Sequence, residues 1–263
     1  MDNKFTDMKL LAYPYVVTKG AKLWHACNKL GVEITNDPNS DFKYAIYWNI
    51  KSNSTPDQVI SEISHRMKVI NIKCGNVLKY RVDEIWNEIS GYTIKINPAK
   101  FKYKYVRKSQ LQYCSHTGEK HDGVICNFNQ KRDPRYVYQR LIDTSLPDGR
   151  YRTLRLPIFG DSIPCVIVKD SKDRFKESHS VVDICYDIFG WFSVEERKWI
   201  KKFRKGIGLD YGELDILRDK NTEKIYVIDV NNCAGDGIFG KLPIKESTDL
   251  ETLFAQTFKK EFL

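Results

Sequence analysis

The spacing of apolar positions divides the chain into three stretches of different character. In the first, strand and helix patterns alternate. MKLLAYPYVV (8–17) reads as a strand, and KGAKLWHACNKLGV (19–32) places Leu23, Ala26, Cys27 and Leu30 on one helical face, with Gly31 as its stop. DFKYAIYWNI (41–50) predicts a second strand. TPDQVISEISHRM (55–67) predicts a helix opened by Thr-Pro, and KVINIKC (68–74) a third strand. Strand–helix–strand at this spacing points to a βαβ unit and a parallel sheet.

The pattern then changes. VLKYRVDEIWNEIS (77–90) carries a helical stripe of Val77, Leu78, Val82, Ile85, Trp86 and Ile89, ended by Gly91. YTIKI (92–96), YKYVRK (103–108), GVICNF (123–128) and RYVYQRLI (135–142) read as strands with short turns, and the polar LQYCSHTGEKHDG (111–123) as a mobile connection. RTLRLPIF (152–159) and IPCVIVKD (163–170) follow. SVEERKWIKKFRKG (193–206) has a capping box in Ser193 and Glu196, an apolar face in Val194, Trp199, Ile200 and Phe203, and a stop at Gly206. Two apolar strands, 212–218 and 224–231, flank a polar loop, and LETLFAQTFKKEF (250–262) predicts a closing helix. The expectation is an α/β (α+β) chain. It has a small open α/β unit over 1–76, a β-rich central subdomain over 77–143 and a C-terminal mixed-sheet unit over 144–263.

Composition narrows the function classes. No apolar run approaches the ~18 residues that span a bilayer, and the N-terminus lacks an apolar segment followed by a cleavage site, so a cytoplasmic protein is expected. The seven cysteines are odd in number and include no C-x-x-C pair, against a disulfide framework and against a zinc knuckle. The net charge of +9 suits anionic partners: nucleic acid, phosphorylated ligands or acidic substrates. KFKYKYVRK (100–108) is the densest basic run. It reads as a strand with one solvated face, as a basic aromatic groove for a single nucleic-acid strand, or as a strand whose last lysine points into a phosphate site.

One stretch stands out. IYVIDVNNCAG (225–235) reads as a buried strand, yet Asp229 sits in its middle and Asn231 follows two positions on. Side chains alternate along a strand. Glu213, Asp215 and Leu217 therefore share one face of the first strand of the hairpin, and Val227, Asp229 and Asn231 one face of the second. If Asp215 sits opposite Asp229, the loop centres near Thr222 and Asp215, Asp229 and Asn231 project together, with Glu213 beside Asn231. Oxygens so arranged repel one another unless a cation lies between them, and all-oxygen ligation suits Mg²⁺. The competing reading offsets the pairing and turns the acids to water or to a lysine.

GLDYGELDILRD…KIYVIDVNN resembles the last nucleotide-binding hairpin of the ATP-grasp superfamily. The layout of the whole chain is similar to that family's architecture. The resemblance implies ATP and Mg²⁺ as cofactors, with Asp215, Asp229 and Asn231 as metal ligands. It implies that Lys108 and Lys79 contact ATP phosphates. Gln139 would precede a hinge whose backbone near Arg140 and Leu141 pairs with adenine, and Asp143 would contact ribose. Arg155 and Lys169 would be the phosphate-facing catalytic cations, and the loop 113–123 the phosphate cover. The chain departs from the family in carrying Asp where Glu is usual at 229, and Asn231-Asn232-Cys233-Ala234-Gly235 where Asn-x-x-Pro-Gly is common. The implied chemistry is ADP-forming ligation of a carboxylate to an amine or thiol through an acylphosphate. The substrates would be an acidic small molecule or peptide and an amine acceptor, with no nucleic acid and no membrane. The alternatives are a kinase of the same fold acting on a hydroxyl, and a basic protein that binds nucleotide or nucleic acid without turnover.

Overall fold

The computed structural model describes residues 8–110, 124–127, 131–175, 180–235 and 238–263. The expected phosphate cover at 113–123 lies outside them.

The N-terminal part is a parallel sheet in the order β2-β1-β3-β4. Its strands are β1 (Lys9–Pro14), β2 (Glu33–Thr35), β3 (Tyr44–Trp48) and β4 (Val69–Ile70). Alternation decides what each face meets. Leu10, Ala12, Ile46 and Trp48 pack against helix α1 (Lys22–Leu30), whereas Leu11, Ala45 and Tyr47 pack against α2 (Gln58–Arg66). Gly31, at φ 71°, closes α1 as the sequence predicts. The three-residue β2 was not foreseen, and β4 keeps only two residues of the predicted 68–74 strand.

Helix α3 (Lys79–Ser90) leads into a three-stranded antiparallel sheet in the order β6-β5-β7. Its strands are β5 (Tyr105–Ser109), β6 (Val124–Cys126) and β7 (Tyr136–Arg140). The strand expected at 92–96 does not form. The Asp83 carboxylate accepts hydrogen bonds from the Thr93 hydroxyl (2.9 Å) and the Ile94 N–H (3.2 Å), which holds the segment to α3. It meets the edge of β7 through Ile96 N–H to Tyr138 C=O and Arg140 N–H to Ile94 C=O.

The largest sheet is antiparallel, in the order β10-β9-β8-β11-β12. It comprises β8 (Tyr151–Phe159), β9 (Val166–Ser171), β10 (Val181–Cys185), β11 (Tyr211–Arg218) and β12 (Ile225–Asn231), with α4 (Val194–Ile207) and α5 (Ile244–Phe262). Edge strand β10 is new relative to the sequence reading. The capping box of Ser193 and Glu196 is present at α4. The helix runs through the expected stop at Gly206, however, and ends at Gly208, φ 76°. A Cβ at Gly206 would lie 3.1 Å from Ile85 Cγ2, so the glycine serves the close approach of α3 instead. Helix α5 begins at Ile244, behind Pro243, rather than at 250.

The two faces of this sheet differ. One is apolar throughout: Leu154, Leu156, Val166, Val168, Leu214, Ile216, Val227 and Val230 pack on α3 and α4. The other is apolar only at its ends. Phe159, Ile167 and Tyr211 join α1 and α5 in a core shared with the N-terminal sheet, and Leu217, Tyr226 and Ile228 meet Ile94 and Ile142. Between these blocks lies a band of charged and amide side chains. Among the described residues no helix is long and apolar enough to cross a membrane.

Asn71 ties the N-terminal sheet to the start of β11. It is fully buried at φ 62°. Its side-chain oxygen accepts from the N–H groups of Asp210 and Tyr211 (both 2.8 Å), and its amide donates to Tyr211 C=O (2.7 Å). Asn71→Ala removes the partner of the Asp210 and Tyr211 N–H groups and of the Tyr211 C=O, and is expected to cost about 3 kcal/mol, measured by urea unfolding.

Candidate functional site

The hairpin register is the one the spacing predicts. Asp215 lies opposite Asp229, and Glu213 opposite Asn231. Beyond that pair the register slips, with Ile216 meeting Val227, so Ile228 is the extra residue of a bulge. The bulge corrects one expectation: Val227 does not share the face of Asp229 but is buried in the apolar core on the opposite face. A second correction concerns burial. Asp229 keeps 29% of its side chain exposed, whereas Glu213, at 1%, is the acid buried within the paired strands.

Two carboxylates directly opposed across a strand pair destabilise the pair unless compensated. The compensation comes from separate parts of the chain. Arg155 on β8 stands beside Asp215 in the β8–β11 register and binds it through two hydrogen bonds, Nε to Oδ1 at 2.7 Å and Nη2 to Oδ2 at 3.0 Å. Burial works to raise the Asp215 pKa, but the charge and hydrogen bonds of Arg155 hold the carboxyl below its ordinary value. Lys79, the first residue of α3, places Nζ 3.7 Å from Asp229 Oδ1. Lys108 near the end of β5 feels Lys79, Asp229 and Asp215 together. Desolvation first, then the charge of Lys79, pushes its pKa down to about 8 against the pull of the two acids. Lys169 on β9 is buried on the same sheet face and acts on Asp215 through its charge. The Asn231 side-chain oxygen accepts from the Cys233 N–H (3.2 Å), which orients the amide.

The structure thus brings together Asp215, Asp229, Asn231, Lys79, Lys108, Arg155 and Lys169. The residues expected at a nucleotide hinge lie along β7 and just beyond it. Gln139 is buried on the face of the central sheet that carries Lys108, by the pairings Val106–Gln139 and Lys108–Val137. Arg140 is exposed, with its N–H on Ile94, and Leu141 is half-buried. Asp143 is committed to Lys220 (2.9 Å) and to the Ser145 N–H (3.1 Å). Burial would raise its pKa, yet these bonds hold it at about 2. A cavity of about 540 Å³ between α3, the 93–97 segment and the edge of β7 meets this site at Lys79 and Gln139. Burial lifts the Cys233 thiol well above its ordinary pKa, which disfavours the thiolate a nucleophile needs.

Two residues of the charged band escaped sequence reasoning as functional candidates. Glu213 alternates with Asp215, and that alternation is its signal. Lys22 opens α1, and nothing local marks it. Yet it lies 3.2 Å from Glu213 across 191 positions of chain, with burial pushing its pKa down.

The donor set fits a hard divalent cation. Two carboxylates and an oriented amide oxygen converge on one face, leaving further positions to water and phosphate oxygens, as Mg²⁺ prefers. Among the described residues no group of three or more His, Cys, Asp or Glu side chains could hold a metal. An ion here therefore depends on the amide and on its ligand.

No family model matches the chain, and no curated protein matches it. Solved structures do. D-alanine–D-alanine ligase from Bacillus anthracis superposes with a TM-score of 0.60 at 11% identity, covering 97% of this chain and 96% of that one. The ATP-grasp ligase PsnB, complexed with minimal precursor, Mg and ADP, gives 0.57 at 12%, covering 98% and 99%. The macrocyclase MdnC, bound with precursor peptide MdnA from Microcystis aeruginosa, gives 0.57 at 12%, covering 96% and 100%. The chain has the ATP-grasp fold.

The electrostatics of Lys108 are testable in the free protein. Lys79→Met removes a like charge and is expected to raise the Lys108 pKa from about 8 toward its ordinary value. Asp229→Asn removes an opposite charge and is expected to lower it. Lysine side-chain NMR titration reads both shifts, and movement in the reverse directions would refute the placement.

Proposed function

We propose that the chain is an Mg²⁺- and ATP-dependent ligase that joins a carboxylate to an amine, forming ADP by way of an acylphosphate. One observation carries the reading: on the ATP-grasp fold, Asp215, Asp229 and Asn231 share a sheet face with cations on every side of them.

Asp215, Asp229 and Asn231 would hold the ion, whose charge offsets that of the nucleotide phosphates. The remaining chemistry belongs to the chain. Transfer of a phosphoryl group to a carboxylate brings anions together, and the site must supply positive charge where negative charge gathers. Lys79 and Lys108 approach from α3 and β5, and Arg155 and Lys169 from the floor of the sheet. All four are held in place by secondary structure, which keeps the cost of reorganisation low. The base would lie at the hinge, against the backbone near Arg140 and Leu141, with Leu217 and Ile228 as apolar floor and Asp143 near the ribose. Ligation of this kind needs no side-chain nucleophile. The amine attacks the acyl carbon and phosphate leaves with the electron pair of the broken C–O bond. The solved neighbours bear on the substrate class: one is a D-alanine–D-alanine ligase and two hold precursor peptides. An acidic small molecule or peptide, joined to an amine, fits the net charge of +9.

The test is an ADP-release and thermal-shift screen with Mg·ATP against panels of amino acids, peptides and sugar acids, each with and without an amine. Release that requires both acid and amine is expected. Release with a hydroxyl acceptor and no amine would assign a kinase. Salt-steep binding to nucleic acid without any nucleotide effect would overturn the reading. Asp229→Ala and Asn231→Ala are expected to lower turnover roughly 1,000-fold with little change in melting temperature, because neither residue is in the core. Full activity in either variant would remove the metal assignment. Lys108 must be charged to hold phosphate, so Mg·ATP affinity in the wild type is expected to weaken above pH 8, by about tenfold per unit. Lys108→Gln should flatten that profile.

A further inference from the structure

Glu213 has surroundings that burial alone does not explain. At 1% exposure, neither of its oxygens accepts a hydrogen bond from a described residue. A carboxylate in that state is unfavourable, and apolar side chains of similar size commonly serve a core better. What Glu213 has instead is charge on both sides. Oε1 is 3.2 Å from the Lys22 ammonium, and Oε2 is 3.6 Å from Arg155 Nη1. The same Arg155 gives Nε and Nη2 to Asp215. Lys22, 3% exposed, also donates to the Gly235 C=O (2.7 Å), in the segment that follows Asn231. Lys22, Glu213, Arg155 and Asp215 therefore form a row of alternating charge from the N-terminal helix α1 to the candidate metal ligands.

Resting on the nucleotide reading above, we propose that Glu213, with Lys22 as its counter-ion, is a positioning residue for Arg155. Asp215 faces the site and is the carboxylate that a metal–nucleotide complex would claim. Glu213 is sealed from solvent and stays with the arginine. When Asp215 gives up its two hydrogen bonds, the Nη1 edge remains held by Glu213. The Nε and Nη2 donors are then free for the transferring phosphoryl group, and the guanidinium does not leave. Without Glu213, Arg155 loses the carboxylate that stays behind when Asp215 turns to the ligand. Lys22 pairs with the buried acid and couples the arrangement to the loop after Asn231 through Gly235.

The experiment compares the wild type with Glu213→Gln, Lys22→Met and the double variant. Three quantities are read: thermal unfolding of the free protein, affinity for Mg·ADP, and affinity for Mg·ADP with aluminium tetrafluoride as a stand-in for the transferring phosphoryl group. Glu213→Gln is expected to leave Mg·ADP affinity within about threefold while weakening the fluoride-dependent complex at least tenfold. Lys22→Met alone takes away the counter-ion on one side of the buried acid, leaving it Arg155, and should lower the melting temperature. The double variant removes both charges of the buried pair, so it should recover the melting temperature and still fail to recover the fluoride-dependent affinity. Recovery of both would make the pair a structural element only and overturn the inference, as would a Glu213→Gln protein indistinguishable from the wild type. A wild type that does not bind Mg·ADP would overturn the nucleotide reading, and this inference with it.

Discussion

Asp215 and Asp229 face each other across two hydrogen-bonded strands, and the rest of the site is arranged around that opposition. Like charges so placed weaken a sheet. They are tolerated because Arg155 arrives from the neighbouring strand, Lys79 from the start of a helix, and Lys108 from a separate sheet. Each of the three comes from an element whose apolar face is fixed elsewhere. Arg155 alternates with Leu154 and Leu156, which are buried on the far face of the large sheet. Lys79 opens a helix whose Val82, Ile85 and Trp86 are buried in that same core. Core packing thus sets where the charges stand.

The sheet face itself is built for this. Its two ends are apolar and sealed, one by α1 and α5 and the other by Ile94 and Ile142. Only the middle is polar, and there the cations of β9 and β8, Lys169 and Arg155, stand beside the acids of β11 and β12. Such a band has little reason to exist for stability, since buried ion pairs rarely improve on apolar packing. On the proposed function it serves a ligand whose own charge is large and negative.

The alternation of side chains was enough to place Asp215 against Asp229 and to centre the loop near Thr222, because a two-residue period and a polar turn fix an antiparallel register. The bulge at Ile228 left no trace, since Val227 and Ile228 are both apolar and either could face either core. Gly206 and Gly208 are equally good helix stops by residue type, and only the approach of Ile85 separates them. YTIKI has the composition of a strand, but Asp83, ten and eleven positions upstream of Thr93 and Ile94, captures it. The hydrogen bonds of Asn71 and the pairing of Lys22 with Glu213 join residues more than a hundred positions apart. No local pattern announces such contacts.

The two ends of the chain share one core and are tied by Asn71, and α3 is packed into the back of the large sheet. Among the described residues the three-stranded sheet is attached by less: a small apolar cluster around Ile94, Ile142 and Tyr226, the 93–96 segment that Asp83 holds to α3, and the tie between Asp143 and Lys220. If the cleft opens, that sheet is the part that lifts, like a lid on a box whose base and back are cast together. Lys79 and both acids stay with the base, while Lys108 and Gln139 ride on the lid. Lifting returns Lys108 to water and carries it away from Lys79, which raises its affinity for a proton by more than parting from Asp229 and Asp215 lowers it. Opening would therefore draw a proton from solvent near pH 8 and closing would release it, so that movement of the lid is itself a titration.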